Sequence, residues 1–299
     1  MKTLVNLSVK KTGTSFVHNL MRYSGVRVAP EKEYYTFPRN TQGFLNLATD
    51  VTNAYDSASK TYFSANETTA VDENDRIFIE RLLALNDFSV EYIHKLQNPF
   101  QRVSASLQRL SLLRHSYPAT EAFVVSDPNF LTDLCALSVG MNATELEMVH
   151  SILRAEEIEF FSIIRDPVDA AISLAGLYSR EVSLQQLCAD EFLENIASRC
   201  RQFAMIGFVG EKLGIKTRAY RFDYVIDQPF DFVLRLHRDF GISLSNMEQD
   251  ALSPKNPNPG SFLPDDVRSV QRQFFSNRLD SEIALFSALK EKDAQGVVL

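Results

Sequence analysis

The sequence has few of the residues that hold small secreted proteins or metal sites together. Its 299 residues include three cysteines and five histidines, and no tryptophan. Cys135, Cys188 and Cys200 form no CxxC pair, and the dispersed histidines do not show the spacing of a zinc site. This pattern favours a reducing compartment over a disulfide-linked secreted protein, and we expect no bound metal.

Long hydrophobic runs are absent as well. No stretch approaches the ~20 consecutive apolar residues that a membrane-spanning helix needs. Lys10 and Lys11 interrupt the first apolar stretch too early for a secretory signal. We therefore expect a cytoplasmic protein without a transmembrane segment.

The chain also lacks the excess of positive charge that is typical of nucleic-acid-binding proteins. Thirty-eight acidic residues outnumber 31 basic ones, which gives a net charge of −7. We therefore expect no nucleic-acid partner, since such proteins are normally basic. An anionic ligand has to be held by a local cluster of positive groups.

The beginning of the chain has the layout of an anion-binding site. Residues 3–9 form an apolar run that predicts a buried strand, and residues 14–24 predict a helix. Lys11, Gly13 and several hydroxyl side chains lie in the short loop between them. N–H groups at a helix start carry partial positive charge, and Lys11 adds a full charge. Alternatively, the hydroxyls are ordinary helix caps and the lysines end a solvated strand.

Strands alternate with helices along much of the chain. Further strands are predicted at residues 121–126, 159–164 and 216–222. Helices are predicted at residues 143–154, 168–175, 229–240 and 265–290. Asp166 and Pro167 are typical of a helix start, because aspartate is a good N-cap and proline suits the first helical position. The alternation predicts an α/β domain with a mainly parallel sheet and helices on both faces.

Two loops of this predicted sheet are candidates for ligand contact. Ligands of parallel sheets bind at the carboxyl ends of the strands. Residues 10–15 follow the first strand, and residues 165–167 follow the strand at 159–164. Both loops open on one crevice if these two strands are neighbours.

Four segments of the chain resemble, in their order and spacing, the motifs of a known family. They are KTGTSF at residues 11–16, FSIIRDPVDAAISL at residues 161–174, YRFDYVIDQP at residues 220–229 and LDSEIALF at residues 279–286. In order, they resemble the 5′-phosphosulfate loop, the 3′-phosphate motif, the RYEDLVxDP segment and the closing DxxLY helix of sulfotransferases. These enzymes use 3′-phosphoadenosine 5′-phosphosulfate (PAPS) as the sulfuryl donor.

The resemblance implies a fold and an organisation for the chain. The fold is a three-layer α/β/α domain with a central, mainly parallel sheet, similar to that of P-loop NTPases. Residues 1–299 then form a single domain. Residues 34–120 form a helical insert that serves as a lid over the acceptor pocket, and such loops vary freely on a fixed fold.

The resemblance also assigns the residues that hold PAPS. The residues assigned to its 5′ end are Lys11, Thr12, Gly13, Thr14, Ser15 and Phe16. Arg165 and Ser173 are assigned to its 3′-phosphate, and the planar fork of an arginine suits a phosphate. Alternatively, Arg165 pairs with Asp166 or Asp169, and Ser173 is a small helix-packing residue.

The reaction that the resemblance implies is in-line transfer of the sulfuryl group from PAPS to a hydroxyl or amine, which releases 3′-phosphoadenosine 5′-phosphate (PAP). The acceptor is a small molecule or a carbohydrate. Lys11 stabilises the departing phosphate, and no metal is required. Three residues are candidates for the base that takes the acceptor's proton. Glu33 lies in a segment similar to the KE…FF segment of the heparan sulfate group, and His18 and Asp127 are the alternatives.

Two other functions stay open. The segment Ser126-Asp127-Pro128 lacks the lysine that the carbohydrate-acting group has there, which is compatible with a nucleotide-binding protein that does not catalyse transfer. A divergent P-loop kinase is the third reading. The motif GxxxxGK[ST] is absent from the sequence, which argues against the kinase.

Overall fold

Strands and helices alternate in the part of the chain that a computed structural model describes. The described residues are 2–8, 12–13, 16–17, 20–21, 24, 26–28, 55–56, 61–63, 68–70, 100, 103–104, 107, 111, 122–126, 134, 142–180, 182–201, 204–243, 263–292 and 297–298. The strands are β1 (Lys2–Asn6), β2 (Arg27–Val28), β3 (Tyr55–Asp56), β4 (Thr61–Phe63), β5 (Thr68–Ala70), β6 (Ala122–Ser126), β7 (Ile158–Ile164), β8 (Thr217–Arg221) and β9 (Val297–Val298). The helices are α1 (Ala143–Ala155), α2 (Pro167–Leu177), α3 (Leu184–Leu187), α4 (Asp190–Cys200), α5 (Ala204–Leu213), α6 (Phe222–Asp227), α7 (Pro229–Phe240), α8 (Asp265–Arg278) and α9 (Asp280–Lys292).

A six-stranded sheet organises the fold, with strand order β2-β6-β1-β7-β8-β9. The neighbouring strands are parallel except for β8 and β9, which are antiparallel. β1 lies between β6 and β7, so that Asn6 is level with Ser126 on one side and with Phe161 on the other. The prediction of an α/β fold with a mainly parallel sheet is confirmed.

Both faces of the central strands are buried. Along β7, Phe161 and Ile163 belong to one hydrophobic cluster, and the alternate residues Phe160 and Ile164 are also at most 2% exposed. Successive side chains of a strand point to opposite faces, so burial of both sets means that both faces of the sheet are covered. The apolar composition of this strand follows from its position inside the sheet.

One large hydrophobic cluster, which we call the sheet cluster, joins the sheet to helical segments. Its members are Leu4, Val17, Leu20, Met21, Val26, Ala122, Phe161, Ile163, Tyr220, Tyr224, Val225, Phe232, Val233, Leu236, Phe240 and Ile242. It therefore fixes α7 and the helical residues after the first loop against β1, β7 and β8. A second cluster packs α2 against α4 and α8, with Ala171, Ala197 and Phe275 all buried.

The helix boundaries that the sequence predicts are present. The side chain of Asp166 accepts a hydrogen bond of 3.0 Å from the N–H of Asp169, and Pro167 is in the first turn of α2. α7 ends at Gly241, whose φ of 58° is the left-handed conformation that glycine adopts at low cost. The cap at Asp166 places the start of α2 directly at the carboxyl end of β7.

The region predicted as a helical insert contains strands among its described residues. β3, β4 and β5 form a separate three-stranded antiparallel sheet. Residues 100, 103–104, 107 and 111 are helical. The role of residues 34–120 as a lid and the single-domain boundary stay predictions. Among the described helices, none combines the length and the apolar character that crossing a membrane requires.

Candidate functional site

The carboxyl ends of β1, β7 and β8 meet at one edge of the sheet. β1 and β7 are hydrogen-bonded neighbours, as the crevice prediction requires. β8 pairs with β7 so that Arg221 is level with Ile164. The segments that follow these strands begin the first loop, the Arg165 turn and α6, and they share this edge.

A buried hydrogen-bond network fixes the exit from β1. Asn6 and Ser8 are at most 2% exposed. The Oδ1 of Asn6 accepts hydrogen bonds from the N–H and the hydroxyl of Ser8, and the N–H bond is 3.0 Å long. The Oγ of Ser8 accepts a bond of 2.6 Å from the N–H of Ile163 on β7. The serine side chain therefore continues the β1–β7 pairing towards the loop.

Replacing Ser8 with alanine is expected to lower the free energy of unfolding by about 1–3 kcal/mol. The N–H of Ile163 then loses its hydroxyl acceptor in a buried position, and such a group retains most of its desolvation penalty. Urea denaturation measures the change. Ser198→Ala is the control, because Ser198 is exposed on α4 and bonds only to its own helix, at Asn195. Equal midpoints for Ser8→Ala and Ser198→Ala contradict the prediction.

Gly13 has a conformation and a neighbour that both favour glycine. Its φ is +82°, a backbone region that L side chains rarely adopt. A Cβ atom at this position would lie 2.5 Å from Cε2 and 2.9 Å from Cδ2 of Phe222. The carbonyl of Gly13 accepts a bond of 3.0 Å from the N–H of Val17, so the first helical turn starts here. β1 and the helical residues 16–17 therefore flank Gly13 in the predicted order, and the binding of an anion here stays a prediction.

Arg165 lies against the same aromatic ring. Its Cζ is 4.8 Å from the centroid of the Phe222 ring, within the range of a cation–π interaction. Burial lowers the pKa of the Arg165 guanidinium, and the negative charges of Asp169 and Asp166 offset part of this effect. A cation with reduced hydration at a crevice edge is a strong partner for an anion.

The acidic residues near Arg165 have other partners. Asp169 accepts a hydrogen bond of 2.9 Å from Arg272 on α8, and Asp166 caps α2. Both carboxylates also favour the charged form of Arg165, so the alternative of a structural ion pair with these residues stays open.

Phe222 is the residue that brings the two predicted loops together. It is the first residue of α6, directly after β8, and its ring contacts both Gly13 and Arg165. The sequence comparison includes Phe222 in a matching segment but gives it no role. The available signal is its place at the end of the strand predicted at residues 216–222, which puts it at the same edge as the other two loops.

Two solved structures align with most of this chain at low sequence identity. No known protein-family profile matches the sequence, and no curated protein matches it. A sulfotransferase from Alicyclobacillus acidocaldarius aligns over 96% of this chain and 96% of its own, with 12% identity and a TM-score of 0.47. The sulfotransferase domain from the curacin biosynthetic pathway aligns over 97% of this chain and 90% of its own, with 11% identity and a TM-score of 0.40.

The other described residues assigned to PAPS are mainly buried. Thr12 and Ser173 are each 1% exposed, and Phe16 is half-buried against the sheet cluster. Their roles as ligand contacts stay predictions. Within the described residues, no group of three or more His, Cys, Asp or Glu side chains could hold a metal ion.

Several predicted site residues lie outside the described part of the chain. They are Lys11, Thr14, Ser15, His18, Glu33 and Asp127. Of their surroundings, the structure describes the end of β6 at Ser126, level with Asn6 at the carboxyl edge of the sheet. The catalytic assignments stay predictions from the sequence.

Proposed function

We propose that this chain is a sulfotransferase that transfers the sulfuryl group of PAPS to a hydroxyl or amine and releases PAP. The observation that carries the proposal is the contact of Gly13 and Arg165 with one ring, that of Phe222. Two anion-binding elements are thereby adjacent at one edge of a parallel sheet. PAPS suits them because its two anionic groups are joined by a rigid adenosine.

The residues of the first loop act at the sulfate-bearing end in this proposal. The acceptor oxygen attacks sulfur, the bond from sulfur to the phosphate oxygen breaks, and negative charge grows on that phosphate. Lys11 and the loop N–H groups stabilise this charge, with Thr12, Thr14 and Ser15 as further donors. The left-handed Gly13 allows the backbone to approach the ligand closely.

Arg165 and Ser173 act at the 3′-phosphate. The guanidinium donates two parallel hydrogen bonds to phosphate oxygens, a geometry that lysine does not offer. A base takes the proton that the acceptor loses, and Glu33, His18 and Asp127 are the candidates. Asp127 gains support from its sequence position directly after β6, whose last residue is level with the end of β1.

The remaining features of the proposal concern the fold and the acceptor. The sheet belongs to a three-layer domain similar to P-loop NTPases, and residues 34–120 shape the acceptor pocket. The acceptor is a small molecule or a carbohydrate, no metal takes part, and the protein is cytoplasmic. The cytoplasmic location rests on the cysteine pattern of the sequence, and the other points follow from the motif resemblance.

Calorimetric titration with PAP tests the proposed nucleotide site. The wild-type protein is expected to bind PAP, and Arg165→Ala is expected to weaken binding by about 10- to 150-fold, because it removes charged hydrogen bonds to a phosphate. Arg199→Ala is the matched control, since Arg199 is exposed on α4 and donates to Tyr178. Its affinity for PAP should equal that of the wild type.

Four results would change the proposal. Absence of PAP binding by the wild type, or equal binding by Arg165→Ala, refutes the nucleotide site. Binding of PAP without sulfate transfer to any acceptor favours the non-catalytic nucleotide-binding protein. A preference for ATP with Mg²⁺ over PAPS favours the divergent kinase.

A further inference from the structure

We propose that Phe222 is a positioning residue that sets the spacing of the two anion-binding elements and thereby selects nucleotides with both a 3′- and a 5′-anionic group. The inference rests on the proposed function and deepens it. An aromatic side chain outside both phosphate motifs thereby distinguishes doubly phosphorylated from singly phosphorylated adenosine.

The ring of Phe222 is anchored by packing against the hydrophobic core. It packs against the sheet cluster, and the buried residues Tyr224 and Val225 follow it in α6. The start of α6 is also fixed, because Asp223 accepts a hydrogen bond of 2.9 Å from the Nε of Arg221. Burial opposes ionisation of Asp223, but hydrogen bonds from Arg221 and from the N–H of Tyr224 bring its pKa below the usual range. The carboxylate therefore stays ionised and paired near neutral pH.

Two functional elements depend on this one ring. The Cα of Gly13 lies so close that an added Cβ would be 2.5 Å from a ring carbon. The guanidinium of Arg165 lies 4.8 Å from the ring centroid. A side chain that touches both elements and is anchored in the core defines their separation. Movement of the ring would shift the first loop relative to Arg165.

The stacking contact matters most for the 3′-phosphate. An arginine side chain is long and loses rotamer freedom when it binds an anion, and a ring that already orients the guanidinium reduces that loss. A nucleotide with only a 5′-phosphate does not use Arg165. Loss of the ring should therefore weaken binding of PAP more than binding of adenosine 5′-monophosphate (AMP).

The test compares affinities for PAP and AMP in ring-preserving and ring-removing variants. Phe222→Met keeps much of the apolar volume but has no aromatic face. We expect its affinity for PAP to fall by about 3- to 30-fold, the size of a cation–π contact at a partly desolvated site, and its affinity for AMP to change less than about twofold. Phe222→Tyr keeps the aromatic face, and its ratio of PAP to AMP affinity should stay within about twofold of the wild-type ratio.

A matched control comes from another phenylalanine with a cation above its ring. Phe208 is exposed on α5, and the Nζ of Lys212 lies 6.0 Å from its ring centroid. Phe208→Met removes a similar contact away from the carboxyl edge of the sheet. It should leave both affinities unchanged.

The outcomes separate this inference from the proposed function. If the wild type does not bind PAP, both fail. If it binds PAP and Phe222→Met weakens PAP and AMP equally, or neither, the inference alone is wrong. A thermal melt checks that each variant is folded, and Phe222→Leu replaces Phe222→Met if the latter unfolds. Loss of PAP selectivity in a folded Phe222→Tyr variant also overturns the inference.

Discussion

Replacing Lys11 with alanine is expected to slow sulfuryl transfer by about 10²–10³-fold. The proposed role of this lysine is to stabilise negative charge that grows on the departing phosphate only as the bond to sulfur breaks. An interaction that strengthens in the transition state lowers kcat when it is removed. We therefore expect the effect on turnover to exceed the effect on PAP affinity.

The measurement is the release of PAP from PAPS with a mixed panel of alcohol, phenol and amine acceptors. Lys10→Ala is the matched control, since it removes the adjacent positive charge and changes the net charge of the chain equally. Its rate should stay close to that of the wild type. If Lys10→Ala loses activity and Lys11→Ala does not, the assignment of the two lysines is reversed, and equal rates for Lys11→Ala and the wild type reject the electrostatic role.

Replacing Gly13 with alanine is expected to lower the free energy of unfolding by about 2–5 kcal/mol, from left-handed backbone strain combined with overpacking. The new Cβ would lie 2.5 Å from Cε2 of Phe222, closer than real Cβ contacts allow. The ring cannot yield easily because it packs against the sheet cluster. We also expect the variant to lose PAP binding, since relief of the clash separates the loop from Arg165.

Urea denaturation with Gly207→Ala as the control tests this prediction. Gly207 lies inside α5, and a Cβ there meets nothing within 4 Å. Alanine at this position should leave stability unchanged or raise it by up to about 1 kcal/mol, since glycine is a poor helix former. Adding Phe222→Leu to Gly13→Ala should recover part of the lost stability, because the clash disappears while the backbone strain stays. Unfolding of Gly13→Ala at the wild-type midpoint would contradict the packing argument.

The sequence predicts the sheet well where local signals are strong. The apolar run that becomes β7 is one example, because a strand buried on both faces consists of consecutive apolar residues. The Asp166-Pro167 pair that starts α2 is another, because helix starts favour particular residue types. The short strands β3 to β5 were not predicted, since two or three residues carry no measurable periodicity. The antiparallel pairing of β9 with β8 is likewise a matter of tertiary contact.

The candidate site was predicted in its parts but not in its assembly. Gly13 follows from the strand-loop-helix layout of an anion site, and Arg165 follows from the motif resemblance. The prediction that the strands before their loops are neighbours is confirmed. The ring that joins them was not predicted, because an aromatic side chain after a strand has the same sequence signal whether it packs in a core or orders a ligand site. The catalytic roles of Lys11, His18, Glu33 and Asp127 stay predictions.

The central position of β1 has a consequence for biosynthesis. Both partners of this early strand, β6 and β7, come much later in the chain, the second ending at Ile164. At ribosomal rates of about 5–20 residues per second, roughly 8–30 s pass between the synthesis of β1 and that of β7. The apolar strand has no partner until β6 emerges and lacks its second partner until β7 emerges, and both loops that close are long, which slows folding. We therefore expect the nascent chain to depend on chaperones until the sheet can form around its first strand.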